Sequence, residues 1–312
     1  MADFKVSVVI PTKDRPDRLA KLLDSVKNAG DYFDELIVVD SSAEYSNRLK
    51  VKQLVHRYGE KYIYEPKIGL SFARNTGIAE SSGDIIVFAD DDFIVRKGWI
   101  ENLIRHYKDP YVMCCTGRML PLRHDKVSQL YEKVLSFDRG TKQRIFTRKD
   151  ISILNLLKTV TKIGKIRLED KTPVPWAVGY GYCSFRKSVF DKVGVFDTSL
   201  GRGTPNLGGE DVDIFYRILK KGYKIVYEPK AVIYHDHRHT YEGILKDAYA
   251  SGVSVKALVK KYYKRDLYML FCMIGAFGLY VTSLIRVIIA GDSDLKKMIL
   301  QELKGFLALR II

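Results

Sequence analysis

GLSFARNTGIAESSGDIIVFADDD, residues 69–92, is the stretch that decides the fold. Its first half has helical spacing from about Ser71 to Ser82 and is closed by Gly83. Its second half, DIIVFAD, is a short β-branched run that ends on three adjacent carboxylates, Asp90, Asp91 and Asp92. The same alternation runs upstream. The strand KVSVVIP is followed by a helix from Pro16 to Ala29, with Leu19, Leu22, Leu23 and Val26 on one face, and by the strand ELIVVD ending at Asp40. A helix around Asn47 to Tyr58 and a strand near Lys61 to Glu65 complete the run. Strand and helix alternating at this spacing predict βαβ units and a mostly parallel sheet covered on both faces. Ligands bind such sheets at the carboxyl ends of the strands. Three of those ends are polar here: Pro11-Thr12-Lys13, Asp40-Ser41-Ser42 and Asp90-Asp91-Asp92.

Composition narrows the class. The 312 residues are 46% hydrophobic, with 20 Tyr and 14 Phe, which excludes a disordered basic tail and predicts a large core. Nine prolines leave no room for a long stiff linker. Cys114, Cys115, Cys183 and Cys272 form no CxxC pair, so neither a disulfide framework nor a zinc finger is expected, and a reducing compartment is. No secretory signal is read at the first residues, which lead directly into the first strand. The net charge of +15 predicts an anionic partner: nucleic acid, a phospholipid surface or a phosphorylated substrate.

Two later segments bear on that partner. Residues 267–285, LYMLFCMIGAFGLYVTSLI, carry no charged side chain, and as a helix they approach the thickness of a bilayer's hydrocarbon core. Membrane association is expected, as a span, as a hairpin broken at Gly275 and Gly278, or as an interfacial helix; a buried core helix is the bland alternative. Basic residues flank the run on both sides, from Lys256 to Arg265 and from Arg286 to Arg310, so the positive-inside rule gives no orientation. The final LKKMILQELKGFLALRII suits a helix lying in the interface. Thr141 to Lys171 is a second basic region, within which Ile153, Leu154, Leu157, Val160 and Ile163 have helical spacing; a solvated face and a contact with anionic lipid are its two readings.

The chemistry lies in the carboxylates. Three adjacent aspartates at a strand end repel one another unless a cation or hydrogen-bond donors neutralise them. Oxygen-only ligands suit Mg²⁺ or Mn²⁺, ions that commonly accompany a diphosphate, whereas a polar helix-capping loop is the structural alternative. Gly208-Gly209-Glu210-Asp211 opens a second acidic site at the start of a helix. The helix dipole favours carboxylates there, but the two glycines also permit a close approach of backbone to ligand, and an Asp in that place can act as a general base. The strand pair KIVYEP and AVIYHDH then brings His235, a candidate contact to metal or phosphate, to a strand end.

In order along the chain, VSVVIPTKDRPDRLAKLLDSV, ELIVVDSS, GLSFARNTGIAESSGDIIVFADDD, GYGYCSFRKSVFDKVGVFD and GGEDVDIFYRILKKGYKIVYEPKAVIYH resemble glycosyltransferase family 2 with its GT-A fold. The resemblance covers residues 5 to 237 and implies a set of roles. Pro11 and Thr12 would line the nucleotide base pocket, Asp40 would accept from the base, and Arg74 and Asn75 would lie beside the nucleotide. Asp90 and Asp92 match the outer positions of a DxD motif, with Asp92 coordinating metal and Asp90 or Asp91 serving the ribose or metal waters. Gly179 and Gly181 would face the donor sugar. Asp211 matches the catalytic base, Glu210 a positioning residue, and His235 a strand-end histidine that completes the metal shell.

The implied enzyme is an inverting, metal-dependent glycosyltransferase with a UDP-, GDP- or dTDP-sugar donor and a hydroxyl acceptor on a lipid-linked or cell-surface glycan, with a polyprenyl-phosphate-linked acceptor among the candidates. It would work on an anionic membrane surface at the cytoplasmic face and need no nucleic acid. Residues 1–240 would form the catalytic domain and 241–312 a helical region. The chain has no QxxRW motif, which argues against a processive synthase. The rival readings are a nucleotidyltransferase-like sugar-nucleotide enzyme, whose Gly-rich basic N-terminal loop is missing here, and a non-enzymatic basic protein binding nucleic acid or membrane, which leaves the strand-end carboxylates unexplained.

Overall fold

The structure, a computed structural model, describes residues 4–156 and 173–308. The first half alternates as expected: β1 (Val6–Thr12), α1 (Pro16–Ala29), β2 (Glu35–Asp40), α2 (Tyr45–Arg57), β3 (Lys61–Tyr64), α3 (Leu70–Glu80) and β4 (Ile85–Phe88). Helix α1 starts with Pro16 in its first turn and ends at Gly30, whose φ of 64° closes the last turn. Gly83 has a different role from the one expected of it. Helix α3 already ends at Glu80, and a Cβ on Gly83 would lie 2.7 Å from the backbone nitrogen of Ser7, so the glycine lets this turn press against β1.

The remaining elements are β5 (Phe93–Val95), α4 (Trp99–Ile104), β6 (Val112–Pro121), α5 (Lys126–Leu135), β7 (Arg144–Phe146), β8 (Cys183–Arg186), α6 (Val189–Val193), α7 (Glu210–Lys220) and β9 (Lys224–His235). The last of these corrects an expectation, since KIVYEP and AVIYHDH form one twelve-residue strand rather than two. Pro229 has no N–H to donate, and it falls where the register against β6 slips between Glu228 and Val232, so an irregularity absorbs it.

The strands form one sheet in the order β3-β2-β1-β4-β8-β6-β9-β5, with β7 also paired to β9. Strands β1 to β4 are parallel, β8 is antiparallel to both β4 and β6, and β9 is parallel to β6. That topology gathers the site. The carboxyl ends of β1, β2, β4 and β9 and the amino end of β8 lie on one edge, which carries Thr12, Asp40, Asp90 to Asp92, His235 and Gly181. Both faces are covered, as continuous apolar strands require. Val8, Ile10, Leu36 and Val38 pack toward α1 and α2, while Val9, Ile37, Ile86 and Phe88 pack toward α3 and α7.

Three helices follow: α8 (Tyr241–Tyr262), α9 (Leu267–Ala290) and α10 (Ser293–Leu307). Each starts on a side-chain cap, from Thr240, Asp266 and Asp292 respectively. Helix α9 is apolar, unbroken at Gly275 and Gly278, and mostly exposed, with only Tyr268, Met269, Cys272 and Val287 buried among its described residues. Its first turns are anchored in the core through Tyr268, Met269 and Cys272. Helix α10 departs from the expectation of an interfacial helix. Its apolar residues Met298, Ile299 and Phe306 are buried, and it crosses α8 so closely that a Cβ on Gly252 would lie 1.9 Å from the Glu302 carbonyl oxygen. The helix expected within 141–171 falls largely outside the described residues, as do Leu157, Val160 and Ile163. All four cysteines are buried and unpaired.

Candidate active site

At the ligand edge a cavity of about 490 Å³ is lined from four directions: by Pro11 and Thr12 at the end of β1, by Asp90 to Asp92 after β4, by Glu210 and Asp211 at the start of α7, and by His235 at the end of β9. Helix α8 supplies a further wall through Asp247, Ser251 and Ser254. The C-terminal helices thus begin as part of the cavity.

Arg74 ties the two acidic sites together. It is fully buried on α3, and its guanidinium reaches Asp90 Oδ1 at 3.2 Å, Glu210 Oε1 at 3.1 Å and Asp211 Oδ1 at 2.5 Å. A buried cation is stable only when paired, and three carboxylates within hydrogen-bond reach keep it charged. The other oxygen of Asp211 accepts the Gly181 N–H at 2.9 Å. Gly181 is required there twice over, by its φ of 58° and by the Asp90 Oδ2 that lies 2.9 Å from where a Cβ would stand. Gly209, at φ 89°, turns the chain into α7 so that Glu210 and Asp211 occupy its first turn.

Asp91 and Asp92 are paired with basic side chains. Thr12 Oγ1 donates to Asp91 at 2.8 Å, Arg15 reaches Asp91 at 3.1 Å and Asp92 at 3.6 Å, and Arg18 reaches Asp92 at 3.3 Å. His235 Nε2 lies 3.6 Å from Asp92 Oδ1. Burial, reinforced by the neighbouring Asp92 charge, pushes Asp91 up to about 6. Burial acts on Asp92 in the same direction, but His235, Arg15 and Arg18 outweigh it and bring the carboxyl down to about 2. Burial also raises Asp90, partly offset by Arg74. Glu210, buried beside Asp211, rises to about 7.

Several expected residues sit elsewhere. Asp40 is fully buried behind the cavity wall, accepting from Tyr62 at 3.0 Å and from the Ser42 N–H at 2.8 Å. Asn75 holds the Phe196 backbone through both ends of its amide, at 2.9 and 3.0 Å, so its side chain fastens a loop instead of facing the cavity. Gly179 packs on Thr116 and is likewise off the cavity wall. Asp90 turns to Arg74, whereas Asp92 pairs with His235, and among the described residues no three His, Cys, Asp or Glu side chains stand in ligand geometry. Sequence reasoning passed over Arg15 and Arg18, although their spacing at the start of α1, i and i+3, places them on one face.

The mixed sheet with its acidic ligand edge defines a GT-A fold. A solved mannosyltransferase from Pyrobaculum calidifontis, in complex with GDP-Man and Mn²⁺, superposes over 98% of this chain and 88% of its own with a TM-score of 0.62 at 14% identity. The description Glycosyl transferase family 2 matches residues 7–194, and the chain belongs to that family. Among curated relatives, the pre-mycofactocin glycosyltransferase of Mycobacterium tuberculosis is 26% identical over 82% of this chain and 48% of its own length. The O-antigen chain rhamnosyltransferase of Salmonella typhimurium is 24% identical over 80% of this chain and 72% of its own. The chain therefore spans about half the length of the mycobacterial relatives and most of the second.

Proposed function

We propose that the chain is an inverting, metal-dependent glycosyltransferase that moves a sugar from a UDP-, GDP- or dTDP-linked donor to a hydroxyl of a lipid-linked or cell-surface glycan. The observation that carries this reading is the Arg74 bridge, which ties the strand-end Asp90 to the α7 carboxylates on one cavity. Family membership and relatives named as sugar transferases support it.

Asp211 is the base in this reading. Its pairing with Arg74 fixes the carboxylate in place, and the Gly181 N–H orients its second oxygen. An acceptor hydroxyl placed against it loses its proton as the oxygen attacks the anomeric carbon from the face opposite the leaving nucleoside diphosphate, inverting that centre. Glu210 positions Arg74 and the acceptor. Pro11 and Thr12 border the nucleotide.

Two donors that a divalent ion could take, the Asp92 carboxylate and the His235 imidazole, stand 3.6 Å apart on the cavity wall, in an acidic cluster that relies on arginines for neutralisation, and the diphosphate of a donor would supply the further hard oxygens. Asp92 and His235 would hold Mg²⁺ or Mn²⁺, with Asp90 beside them. Such an ion stabilises negative charge on a departing diphosphate. Residues 1–240 would then carry the reacting groups, α8 would complete the cavity wall, and the rest of 241–312 would hold the enzyme on the cytoplasmic face of a membrane. Support for the latter is that Ile274, Ile285, Ile288 and Ile289 on α9 are each more than half exposed.

The test separates base from binding. Asp211→Asn should lower transfer by about 10²- to 10⁴-fold while leaving nucleotide affinity within a few-fold, by direct titration. Full turnover by this variant would remove the assignment.

A further inference from the structure

Arg202 and Arg238 converge on one carboxylate in the wall of the cavity. Asp247, on α8 and only 4% exposed, accepts from Arg238 Nε at 2.8 Å and from the Tyr131 hydroxyl at 2.6 Å, and Arg202 Nη1 forms an ion pair with it at 3.0 Å. Burial alone would raise this acid, but the two guanidiniums hold it below the usual carboxylate range, so the cluster is ionised. One negative charge faces two positive ones, and a positive charge is left over.

The other cavity arginines have no such surplus. Arg74 meets three carboxylates, and Arg15 and Arg18 lie on Asp91 and Asp92. By contrast, among the described residues the Nη1 and Nη2 of Arg238 and the Nε and Nη2 of Arg202 make no hydrogen bond, and both side chains are part-exposed, at 48% for Arg202 and 36% for Arg238. Their backbones are fixed. The Arg202 carbonyl accepts the Leu70 N–H at 2.9 Å, and Arg123 donates to the carbonyls of His237 and Arg238 at 2.9 and 3.3 Å. Two guanidinium forks, oriented by a shared buried acid and left with free donors, match the oxygens of a phosphate group better than any single-point anion.

We propose that Arg202 and Arg238, oriented by Asp247 and Tyr131, form a phosphate-binding subsite of the transferase cavity. It rests on the proposed reading of that cavity and deepens it. The phosphate comes either from the donor's diphosphate or from a phosphorylated acceptor, and the shared chemistry is the oxyanion.

The full chain, in detergent at fixed ionic strength, is titrated with inorganic phosphate, with GDP or UDP plus Mn²⁺, and with farnesyl phosphate. Arg202→Gln is the first variant because its side chain is half exposed, and an unchanged melting midpoint without ligand certifies its fold; Arg238→Gln is the second, and Arg202→Lys keeps the charge without the fork. Inorganic phosphate should bind each Gln variant at least ten-fold more weakly than the wild type, with Lys intermediate. A parallel loss confined to farnesyl phosphate assigns the acceptor, and one confined to the nucleoside diphosphate assigns the donor. Phosphate binding equal in wild type and folded Arg202→Gln overturns the subsite, as does no phosphate binding by the wild type. If phosphate binds through the arginines but no nucleoside diphosphate binds at all, the transferase reading fails and the subsite stands.

Discussion

Arg74 and the carboxylates around it decide how the cavity behaves. Removing the cation leaves Asp90, Glu210 and Asp211 buried against one another, so Arg74→Met should lose about 3–5 kcal/mol in urea denaturation at neutral pH. Glu210 adds a pH dependence of definite sign. Its carboxyl ionises near 4.5 in the unfolded chain and at about 7 in the fold, so between those values the folded chain retains a proton that the unfolded chain has released. Stability therefore falls as pH rises through that window, by an amount on the order of 2–3 kcal/mol from this group. Glu210→Gln should flatten the fall, as measured by denaturation midpoints from pH 4.5 to 7; an equally steep fall in the variant would contradict it. At this scale the sequence marked the acids but not their partners. Adjacent aspartates and a Gly-Gly-Glu-Asp step are local patterns, whereas Arg74 meets Glu210 and Asp211 across 136 and 137 positions, a proximity that only the folded sheet edge creates. Asn75 shows the converse, since a residue beside Arg74 in sequence points to a different neighbour in space.

Among the elements, those with strong periodicity were legible and those that depend on tertiary contact were not. Helix α1 begins at Pro16 and ends at Ala29 because a proline and a glycine punctuate it. Strand β9 looked divided at Pro229, since the compensating register slip belongs to β6 as much as to β9. Amphipathic spacing in α10 could not say whether its apolar face meets lipid or protein; the glycines at 252 and 305 give it α8. Gly252→Ala would drive a methyl into the α10 backbone and should destabilise by about 1–3 kcal/mol or more, read as a lowered melting temperature. Gly278→Ala, with nothing within 4 Å of its added Cβ and a helical backbone, should instead gain about 0.5–1 kcal/mol. The two glycines differ only in what lies beside them, so equal effects would refute the crossing geometry.

For the whole molecule, the proposed membrane contact rests on the charge of +15 together with the exposed apolar helix. If α9 inserts into a bilayer, Ile274→Asp with Ile285→Asp should abolish co-sedimentation with vesicles containing anionic lipid, while added salt should weaken it only in part. Retention of the double variant on vesicles would leave α9 with some other partner. The central claim concerns the cavity, and it is tested most directly by thermal unfolding of the wild type and Asp92→Ala with UDP-, GDP- and dTDP-sugars in the presence of Mn²⁺. A donor at a hundred times its dissociation constant stabilises its host by about 2.7 kcal/mol. At least one nucleotide sugar should protect the wild type in a Mn²⁺-dependent way and lose that effect in Asp92→Ala; protection by none of them, or protection indifferent to Asp92, would contradict a metal-dependent nucleotide-sugar site.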